Sequence, residues 1–364
     1  MDFTSREILI WLNSLGIGNS NIKNVVEGFS DLPEFWASDS KQIRAMKGIR
    51  DEVKEKILYN RNIDNIKSLF MNIEKQNIDI VTIFDEEYPT GLRYLNDSPQ
   101  VLYIKGNNFL NNSIAIAIVG SRKATSYGKW ACEKFTKELV ELGVTIISGL
   151  ASGIDTIAHK TTLENDGKTI AVLGNGIDNI YPKRNLSLYK EIEREGTIVT
   201  EFPLGTPPLA YNFPQRNRII SGLSKGVIII EAQEKSGSLI TAHHALDQGK
   251  DVFALPGNIN SIFSGGTNKL IKDGAKPLLT MDDIIEEIYE LKQMVMVNKS
   301  NKIDYSNYSE TETKIIRILE SGPVHTDIIA YKIGMDIQVA TSLLTVLELK
   351  GAIRELSSRV FTIS

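Results

Sequence analysis

The chain has 364 residues, enough for two or three domains of ordinary size. Its hydrophobic content of 42% and charged content of 24% are typical of a globular protein, and its formal net charge of −4 does not favour a polyanionic partner. No apolar run reaches the length of a membrane span and no signal-peptide pattern begins the chain, so we expect a cytoplasmic protein without a membrane span. The single cysteine, Cys132, excludes an intrachain disulfide framework and a cysteine-cluster metal site.

The first 65 residues predict a small helical domain. Thr4 and Glu7 have the spacing of a capping box, and apolar residues follow at helical intervals. Two glycine-containing segments, residues 15–18 and 46–49, resemble helix-hairpin-helix turns, which can aim backbone amides at a phosphate. Acidic residues slightly outnumber basic ones here, so a scaffold or protein-contact role is at least as well supported as DNA contact.

Residues 66 to about 110 predict a connecting helix and an irregular segment, and from residue 114 onward strands and helices alternate. Two short strands, near residues 78–84 and 101–104, are expected at the edge of the sheet that follows. The strands of the alternating pattern are predicted at residues 114–119, 144–147, 169–173, 197–200, 227–230 and 252–254. Helical segments lie between them, which is typical of an α/β fold with a doubly wound parallel sheet. Ligands of such sheets bind beyond the carboxyl ends of the strands.

The loops at those carboxyl ends are rich in glycine, serine and cations. They comprise residues 119–123, 148–155, 174–185 and 236–239. Small residues let the backbone approach an anion, and amides at the following helix N-termini supply donors. The cations expected along this edge are Arg122, Lys123, Lys183, Arg184, Arg216 and Arg218. This local concentration of positive charge favours a polyanion site despite the acidic average.

The most distinctive stretch follows a proline-rich segment, residues 201–212. Phe213 lies in a polar, irregular context and is expected to be exposed, and residues 216–218 (Arg-Asn-Arg) follow where a short helix can begin. An aromatic ring and two guanidinium groups beside the buried strand at 226–230 suit stacked bases and phosphates. Taken alone, the segment is equally compatible with arginines that pair with acids and a phenylalanine that fills a core.

The residues contain no convincing catalytic constellation. Gly174 and Gly176 begin a dinucleotide fingerprint, but its third glycine and acidic ribose partner are missing. Asp155 and Glu201 are better suited to accept backbone hydrogen bonds than to act as an acid–base pair, and the loop serines lack a base. The four histidines are not spaced as metal ligands. We therefore expect no enzymatic activity, no cofactor and no metal.

These motifs resemble the DNA-processing protein family called DprA or Smf. The resemblance rests on residues 119–122 (Val-Gly-Ser-Arg), 148–155 (Ser-Gly-Leu-Ala-Ser-Gly-Ile-Asp), 213–218 (Phe-Pro-Gln-Arg-Asn-Arg) and 236–241 (Ser-Gly-Ser-Leu-Ile-Thr), and it spans roughly residues 80–290. It implies an extended Rossmann domain between a helical SAM- or helix-hairpin-helix-like domain and a winged-helix domain. The domains expected on this basis are 1–65, 66–295 and 309–364, with 296–308 as a linker.

The resemblance also implies a function and a set of site residues. The function is binding of single-stranded DNA, its protection and the loading of the RecA recombinase during natural transformation, by a homodimer. The residues expected at the DNA are Gly120, Ser121, Arg122, Ser152, Gly153, Lys183, Phe213, Arg216, Asn217, Arg218, Ser236 and Gly237. Phe213 matches the family's base-stacking position, and Lys183 stands in for a lysine that some members carry before this segment. Arg218 lies about 200° around a helix from Arg216 and can pair inward instead.

The last segment, residues 309–364, shows three amphipathic helices and a hairpin, the pattern of a winged helix. Its third helix, residues 336–349, carries no lysine or arginine. A helix that reads a DNA groove normally needs donors and cations. We therefore expect a protein-contact or autoregulatory role for this domain.

An alternative to the DNA-binding mediator is a protein of a different functional class, a Rossmann protein that binds nucleotides or hydrolyses nucleoside phosphates. Phosphohydrolases that resemble lysine decarboxylases need a PGGxGTxxE-like segment. Here residues 264–267 (Ser-Gly-Gly-Thr) are followed by Asn268 and Lys269, with no glutamate behind them. The expected catalytic acid is absent, which favours the mediator.

Overall fold

The computed structural model describes residues 3–111, 114–301, 305–320 and 322–363. Contacts divide the chain into two compact units, Met1–Leu291 and Lys292–Ser364. The predicted domain boundaries near residues 65, 295 and 308 stay predictions. Within the described ranges, no helix combines the length and the apolar character needed to cross a membrane.

The first unit contains helices on both sides of one large sheet. Its helices are α1 (Ser5–Ser14), α2 (Asn19–Glu27), α3 (Leu32–Ala37), α4 (Ser40–Ala45), α5 (Asp51–Asn60), α6 (Ile63–Lys75), α7 (Thr90–Arg93), α8 (Ser126–Glu141), α9 (Ile154–Glu164), α10 (Leu186–Glu195), α11 (Asn212–Leu223), α12 (Gly237–Asp247), α13 (Gly265–Lys272) and α14 (Asp282–Ile285). Its strands are β1 (Asp79–Thr82), β2 (Val101–Gly106), β3 (Ala115–Val119), β4 (Thr145–Ser148), β5 (Thr169–Val172), β6 (Thr197–Thr200), β7 (Gly226–Ile229), β8 (Asp251–Ala254) and β9 (Lys276–Pro277). Helix α15 (Tyr289–Asn301) contains the boundary between the units and continues into the predicted linker.

The sheet confirms the predicted doubly wound α/β fold. Its described strands follow the order β1-β2-β6-β5-β4-β3-β7-β8-β9. The pairs from β6 to β9 are parallel, whereas β1 pairs with β2 and β2 with β6 in antiparallel fashion, as expected for edge strands. The chain winds from β3 through β6 on one side and resumes with β7 on the other side of β3. The sequence missed β9, which is only two residues long and carries no apolar run.

Burial on both faces explains why the central strands read as continuous apolar runs. Every residue of β7 is buried, as is every residue of β3, because helices cover both faces of a parallel sheet. One hydrophobic core joins the N-terminal helices to the sheet: Ile8 and Trp11 lie in the same cluster as Val101, Tyr103 and Ile198. The helical region therefore packs directly on the sheet.

Local signals in the N-terminal region are confirmed at α1. The Thr4 side chain accepts a hydrogen bond from the Glu7 amide at 3.2 Å, and the Glu7 carboxylate accepts one from the Thr4 amide at 2.8 Å. This is the reciprocal capping box that the Thr-x-x-Glu spacing predicts. The two glycine-containing turns connect α1 to α2 and α4 to α5.

The second unit is a winged helix, as predicted. It contains α16 (Glu310–Glu320), α17 (Thr326–Ile333), α18 (Ile337–Leu349) and a small sheet in the order β10-β12-β11, where β10 is Val324–His325, β11 is Ile353–Ser357 and β12 is Val360–Ile363. Its core joins Ile315 of α16 to Leu344 and Leu347 of α18 and to Phe361 of β12. The sequence missed β10, a two-residue strand that precedes α17.

Candidate nucleic-acid interface

A cleft of about 710 Å³ opens at the carboxyl ends of β3 and β7. These neighbouring strands flank the point where the winding of the sheet reverses, which is where ligands of such sheets bind. The loop after β3, the loop after β7 and the first turns of α11 line the cleft. The parallel topology thus brings loops together that lie more than a hundred residues apart in the chain.

Phe213 lies at the centre of this region. Helix α11 begins at Asn212, so Phe213 and Pro214 lie in its first turn, where the missing amide of a proline breaks no helical hydrogen bond. The Phe213 ring is half-buried rather than fully exposed. Its centroid lies 5.5 Å from that of Tyr181, with 33° between the planes, and the Arg122 guanidinium carbon lies 5.8 Å from the ring centroid of Phe213. An arginine and two aromatic rings therefore form one cluster.

A second cavity, of about 300 Å³, lies against the same cluster. Arg122, Tyr181, Phe213 and Arg216 line both cavities. The loops after β4 and β5 supply the rest of the second lining, including Ser152. The cluster therefore separates two spaces at the same edge of the sheet.

Two glycines make room for the cluster. A β-carbon at Gly174 would lie 2.7 Å from Cδ1 of Phe213, and one at Gly149 would lie 2.6 Å from Nη2 of Arg216. Both distances are shorter than carbon atoms tolerate, so a side chain at either position would displace the ring or the guanidinium. At these two positions the glycine accommodates a protein side chain, whereas the sequence suggested that it accommodates an anion.

Arg216 is buried beneath the cleft. It donates from Nη1 to the carbonyl oxygens of Gly149, at 2.9 Å, and of Val172, and from Nε to Oδ1 of Asn217 at 3.2 Å. Burial lowers the pKa of Arg216 to about 10, while the nearby carboxylate of Asp155 acts in the opposite direction. The group therefore keeps its positive charge at neutral pH.

Asp155 sits at the start of α9 and confirms its predicted role as a backbone acceptor. Its Oδ2 accepts hydrogen bonds from the amides of Gly149, at 3.1 Å, and Ala151, at 3.3 Å. Burial raises the pKa of Asp155, and Arg216 acts against that rise. Asp155 thus holds the loop after β4 in place beside Arg216.

Arg218 points away from both cavities. Its Nη2 lies 2.6 Å from the Glu201 carboxylate and 3.2 Å from that of Asp97. Glu201 also accepts from the side chain of Asn19 at 2.6 Å, so its partners are side chains rather than the backbone groups that we expected. Burial raises the pKa of Glu201, and Arg218 and Asn19 lower it. This network ties α11 to the N-terminal helices.

Four exposed cations surround the cluster. Arg122, Lys123, Lys183 and Arg184 are exposed, and none of them forms a salt bridge with a described residue. Arg122 and Lys123 line the larger cavity and Arg184 lines the smaller one. Lys183 lies in the 3-10 turn Lys183–Asn185 and lines neither.

The structure brings most of the other predicted residues to the same edge. Those lining the larger cavity are Gly120, Ser121, Asn217, Ser236 and Gly237. Gly153 lies outside both linings, at the N-cap of α9, where it packs on the backbone of residues 121–122. Ser236 caps α12 by accepting from the Ser238 amide at 3.4 Å.

Several residues of the lining were not among the individual site residues that we expected. Tyr181, Ser238 and Thr241 lie within the predicted loops and motifs, whereas Gln233 and Phe263 lie outside them. Tyr181 had a usable signal, because it is an aromatic residue in a glycine-rich loop directly after a buried strand. Gln233 and Phe263 belong to no such motif, and only the folded chain brings them to the cleft. Elsewhere in the described ranges, no group of three or more histidine, cysteine, aspartate or glutamate residues could hold a metal.

Comparison with known proteins places this arrangement in a family. The family model described as DNA recombination-mediator protein A matches residues 79–289, and that of the DprA winged helix domain matches residues 306–358. This chain belongs to the DprA family. The match covers the central sheet and the cleft, together with the second unit.

Individual relatives of the chain are named DprA or Smf. It is 41% identical over 245 residues to the DNA processing protein DprA of Bacillus subtilis, covering 66% of this chain and 82% of that protein. It is 46% identical over 225 residues to the protein Smf of Escherichia coli, covering 62% of this chain and 60% of that protein. It is 43% identical over 222 residues to DprA of Streptococcus pneumoniae, covering 61% and 78%.

Solved structures of two proteins named DNA processing protein A are among those that resemble the chain. The X-ray structure of DprA from Streptococcus pneumoniae matches with a TM-score of 0.68 and 36% identity, over 79% of this chain and 99% of that one. A structure of DNA processing protein A from Helicobacter pylori matches with a TM-score of 0.53 and 31% identity, over 60% and 95%. The latter is described as giving insight into the single-stranded DNA binding mode of that protein.

Proposed function

We propose that this chain binds single-stranded DNA at the cleft and acts as a recombination mediator without enzymatic activity of its own. The observation that carries the proposal is the cluster of Arg122, Phe213 and Tyr181 between two cavities, surrounded by cations that form no salt bridge with any residue the structure describes. Membership of the DprA family supports it, as does the relative from Helicobacter pylori that is described as a single-stranded DNA binder.

Stacking is the reason to propose single strands rather than duplex. A ring such as that of Phe213 can stack on a base only when the base has left its own helix, and such contacts tolerate any sequence. The half-buried ring is held by Tyr181 on one side, so little side-chain freedom remains to be lost when a base binds. Duplex DNA offers its phosphates but no free base face.

The phosphates would meet charge and backbone donors along the same edge. Arg122 and Lys123 lie at the larger cavity and Arg184 at the smaller one, while Arg216 places a buried positive charge beneath both. The N-terminus of α12, at Gly237, also faces the larger cavity and can donate amides to an anion. Lys183 would reach the strand only beyond these cavities.

The family carries the wider part of the proposal. We propose that the chain acts as a cytoplasmic homodimer that protects incoming single strands and loads the RecA recombinase on them during natural transformation. The relatives named DNA processing protein support this role. In this proposal Arg218 stabilises α11 rather than contacting DNA, because its guanidinium group pairs with Glu201.

A binding titration tests the central claim. We expect much tighter binding of single-stranded DNA than of blunt duplex, and a loss of about 1–3 kcal/mol for Phe213→Ala, the usual contribution of one stacked base. Tyr59→Ala is the matched control, because Tyr59 is an aromatic residue exposed on α5, away from the cleft. Equal affinity for duplex and single strand would contradict the proposal.

Two further measurements separate the finer claims. Nucleoside monophosphates added as competitors should leave the DNA complex intact, whereas full displacement by a mononucleotide would favour the nucleotide-binding alternative. RecA filament formation on strands already coated with a single-strand-binding protein should accelerate when the chain is added. Unchanged filament formation with intact DNA binding would remove the loading role and leave the binding role.

A further inference from the structure

Two exposed aromatic rings lie on α8, the helix that follows the Arg122 loop. Tyr127 is 46% exposed and Trp130 is 56% exposed. Their ring centroids lie 6.0 Å apart with only 25° between the planes, so the rings are nearly parallel. Phe135 and Leu139 of the same helix are instead buried in the core. The two rings therefore form an isolated aromatic surface.

This surface is fixed close to the cleft. Lys123 lines the cleft, and only Ala124 and Thr125 separate it from the start of α8. The buried Glu231 accepts hydrogen bonds from the Thr125 amide at 3.0 Å and from the Thr125 hydroxyl at 2.5 Å, which anchors the helix to the end of β7. Tyr127 donates from its hydroxyl to the Pro256 carbonyl at 3.0 Å. The rings are thus held in a set position relative to the proposed DNA site.

Positive charge accompanies the rings. The Lys134 ammonium group lies 5.8 Å from the centroid of the Trp130 ring. Its acidic neighbour, Glu138, lies 3.9 Å away on an exposed helix face, and such a pair contributes no more than about 0.5 kcal/mol. Lys134 can therefore exchange this partner for a phosphate at little cost. Lys123, at the near end of the surface, has no salt bridge with any described residue.

We propose that Tyr127 and Trp130 form a second stacking platform, on which single-stranded nucleic acid leaving the cleft past Lys123 places a further base. The inference deepens the proposed function and rests on it. Exposed aromatic rings beside lysines on a continuous path are the combination by which proteins hold single strands without reading sequence. Two rings on an otherwise polar helix face are too small for the core of a protein interface, which argues against a protein as the occupant.

Oligonucleotide length provides the test. A short strand of about five nucleotides would occupy the cleft alone, whereas one of about twenty would also reach the platform. We expect Trp130→Ala to weaken binding of the long strand about tenfold, the effect of losing one stacked base, and to leave the short strand unchanged. Trp130→Phe should retain most of the affinity, because phenylalanine keeps a stacking face. Phe213→Ala should weaken binding of both strands.

Tryptophan fluorescence gives an independent readout. The chain has three tryptophans, and Trp11 and Trp36 pack edge to face in the N-terminal helical region. Trp130 is the exposed one, so a base stacked on it should quench part of the emission when the long strand binds, and Trp130→Phe should abolish that change. Tyr59→Ala is again the control for loss of an exposed aromatic side chain.

The outcomes separate this inference from the proposed function. If the wild-type chain binds no single strand, both fail. If Phe213→Ala weakens binding while Trp130→Ala alters neither affinity nor quenching at any length, the proposed function stands and the platform is refuted. If Trp130→Ala instead changes the mass of the protein in solution and not its affinity for the long strand, the rings contact another protein chain and the platform is likewise refuted.

Discussion

Two regions of the molecule are candidates for DNA binding on the basis of their folds. One is the cleft of the central sheet, and the other is α18, the third helix of the winged-helix unit. At the cleft, exposed cations such as Arg122 and Lys123 surround a half-buried ring, and they form no salt bridge with described residues. Helix α18 has no lysine or arginine and instead exposes Ile337, Val346 and Leu349. One region offers charge and stacking faces, and the other offers apolar surface.

A fold known for DNA binding therefore does not by itself predict which surface suits DNA. Phosphate binding depends strongly on cations, and residues 337–349 of α18 include no lysine or arginine. Its exposed apolar residues fit contact with a protein better, so a protein-contact or autoregulatory role for this unit remains our prediction.

The largest effect should come from the arginine of α11 that does not face the cleft. Arg218→Ala removes the 2.6 Å partner of Glu201 and leaves that carboxylate buried, so we expect a loss of about 3–5 kcal/mol in the free energy of unfolding. Arg122→Ala, at an exposed site, should cost less than about 0.5 kcal/mol. Denaturant unfolding measures both, and equal losses would remove the distinction between the two arginines.

The same pair should show a defined pH dependence. Without Arg218, burial would hold the pKa of Glu201 above its value of about 4.3 in the unfolded chain. Above that pH the unfolded chain ionises more readily than the folded one, so the stability of Arg218→Ala falls as pH rises. We expect its deficit relative to wild type to shrink between neutral pH and about pH 4. A deficit that grows on acidification would contradict this assignment.

Gly174→Ala should weaken DNA binding without removing any group that touches DNA. Its new β-carbon would lie 2.7 Å from Phe213, so the ring must move away from Tyr181. In a titration with single-stranded DNA, we expect the binding free energy to weaken by at most about 1–3 kcal/mol, the contribution of one stacked base. Gly143→Ala tests for general damage, because nothing lies within 4 Å of a β-carbon there, although its positive φ of +80° adds strain. Full affinity in Gly174→Ala would mean that the position of the ring does not matter.

Arg122→Ala should reduce affinity for all sequences alike. Losing one phosphate contact on a single strand should lower the slope of log affinity against log salt by roughly 0.7. Lys137→Ala is the matched control, because Lys137 is exposed on α8 and pairs only weakly with Glu141. A salt titration that returns the wild-type slope for Arg122→Ala would argue against a phosphate contact at this residue.

The smallest effect is expected from removal of the winged-helix unit. Deleting residues 300–364 should leave affinity for single strands within roughly threefold, because the proposed contacts lie in the first unit. All of the deleted residues lie beyond the first unit, Met1–Leu291, so the central sheet should stay folded. Circular dichroism can verify this. If a folded truncated protein lost about a hundredfold in affinity for single-stranded DNA, the winged-helix unit would have to contact DNA. The proposed difference between the cleft and α18 would then be wrong.

Local patterns in the sequence were sufficient to predict the order of elements and the edge of the sheet at which the candidate site lies. Alternating apolar runs and helical segments give the strands of the central sheet nearly to the residue, because burial on both faces requires continuous β-branched stretches. Parallel pairing then requires that the glycine-rich loops share one edge. The capping box at Thr4 and the helices of the winged-helix unit were also predictable from the sequence, because both depend on residues that are close in the chain.

Which side chains face the cleft could not be predicted from the sequence and depends on the tertiary structure. Arg216 and Arg218 are two residues apart on one helix, yet one lies beneath the cavities and the other pairs with Glu201, because the partners come from distant loops. The same holds for Tyr181 beside Phe213, and for Gly149 and Gly174, whose missing side chains are explained by an arginine and a ring rather than by an anion. Local spacing fixes the face of a helix, but what that face meets depends on contacts between residues far apart in the chain.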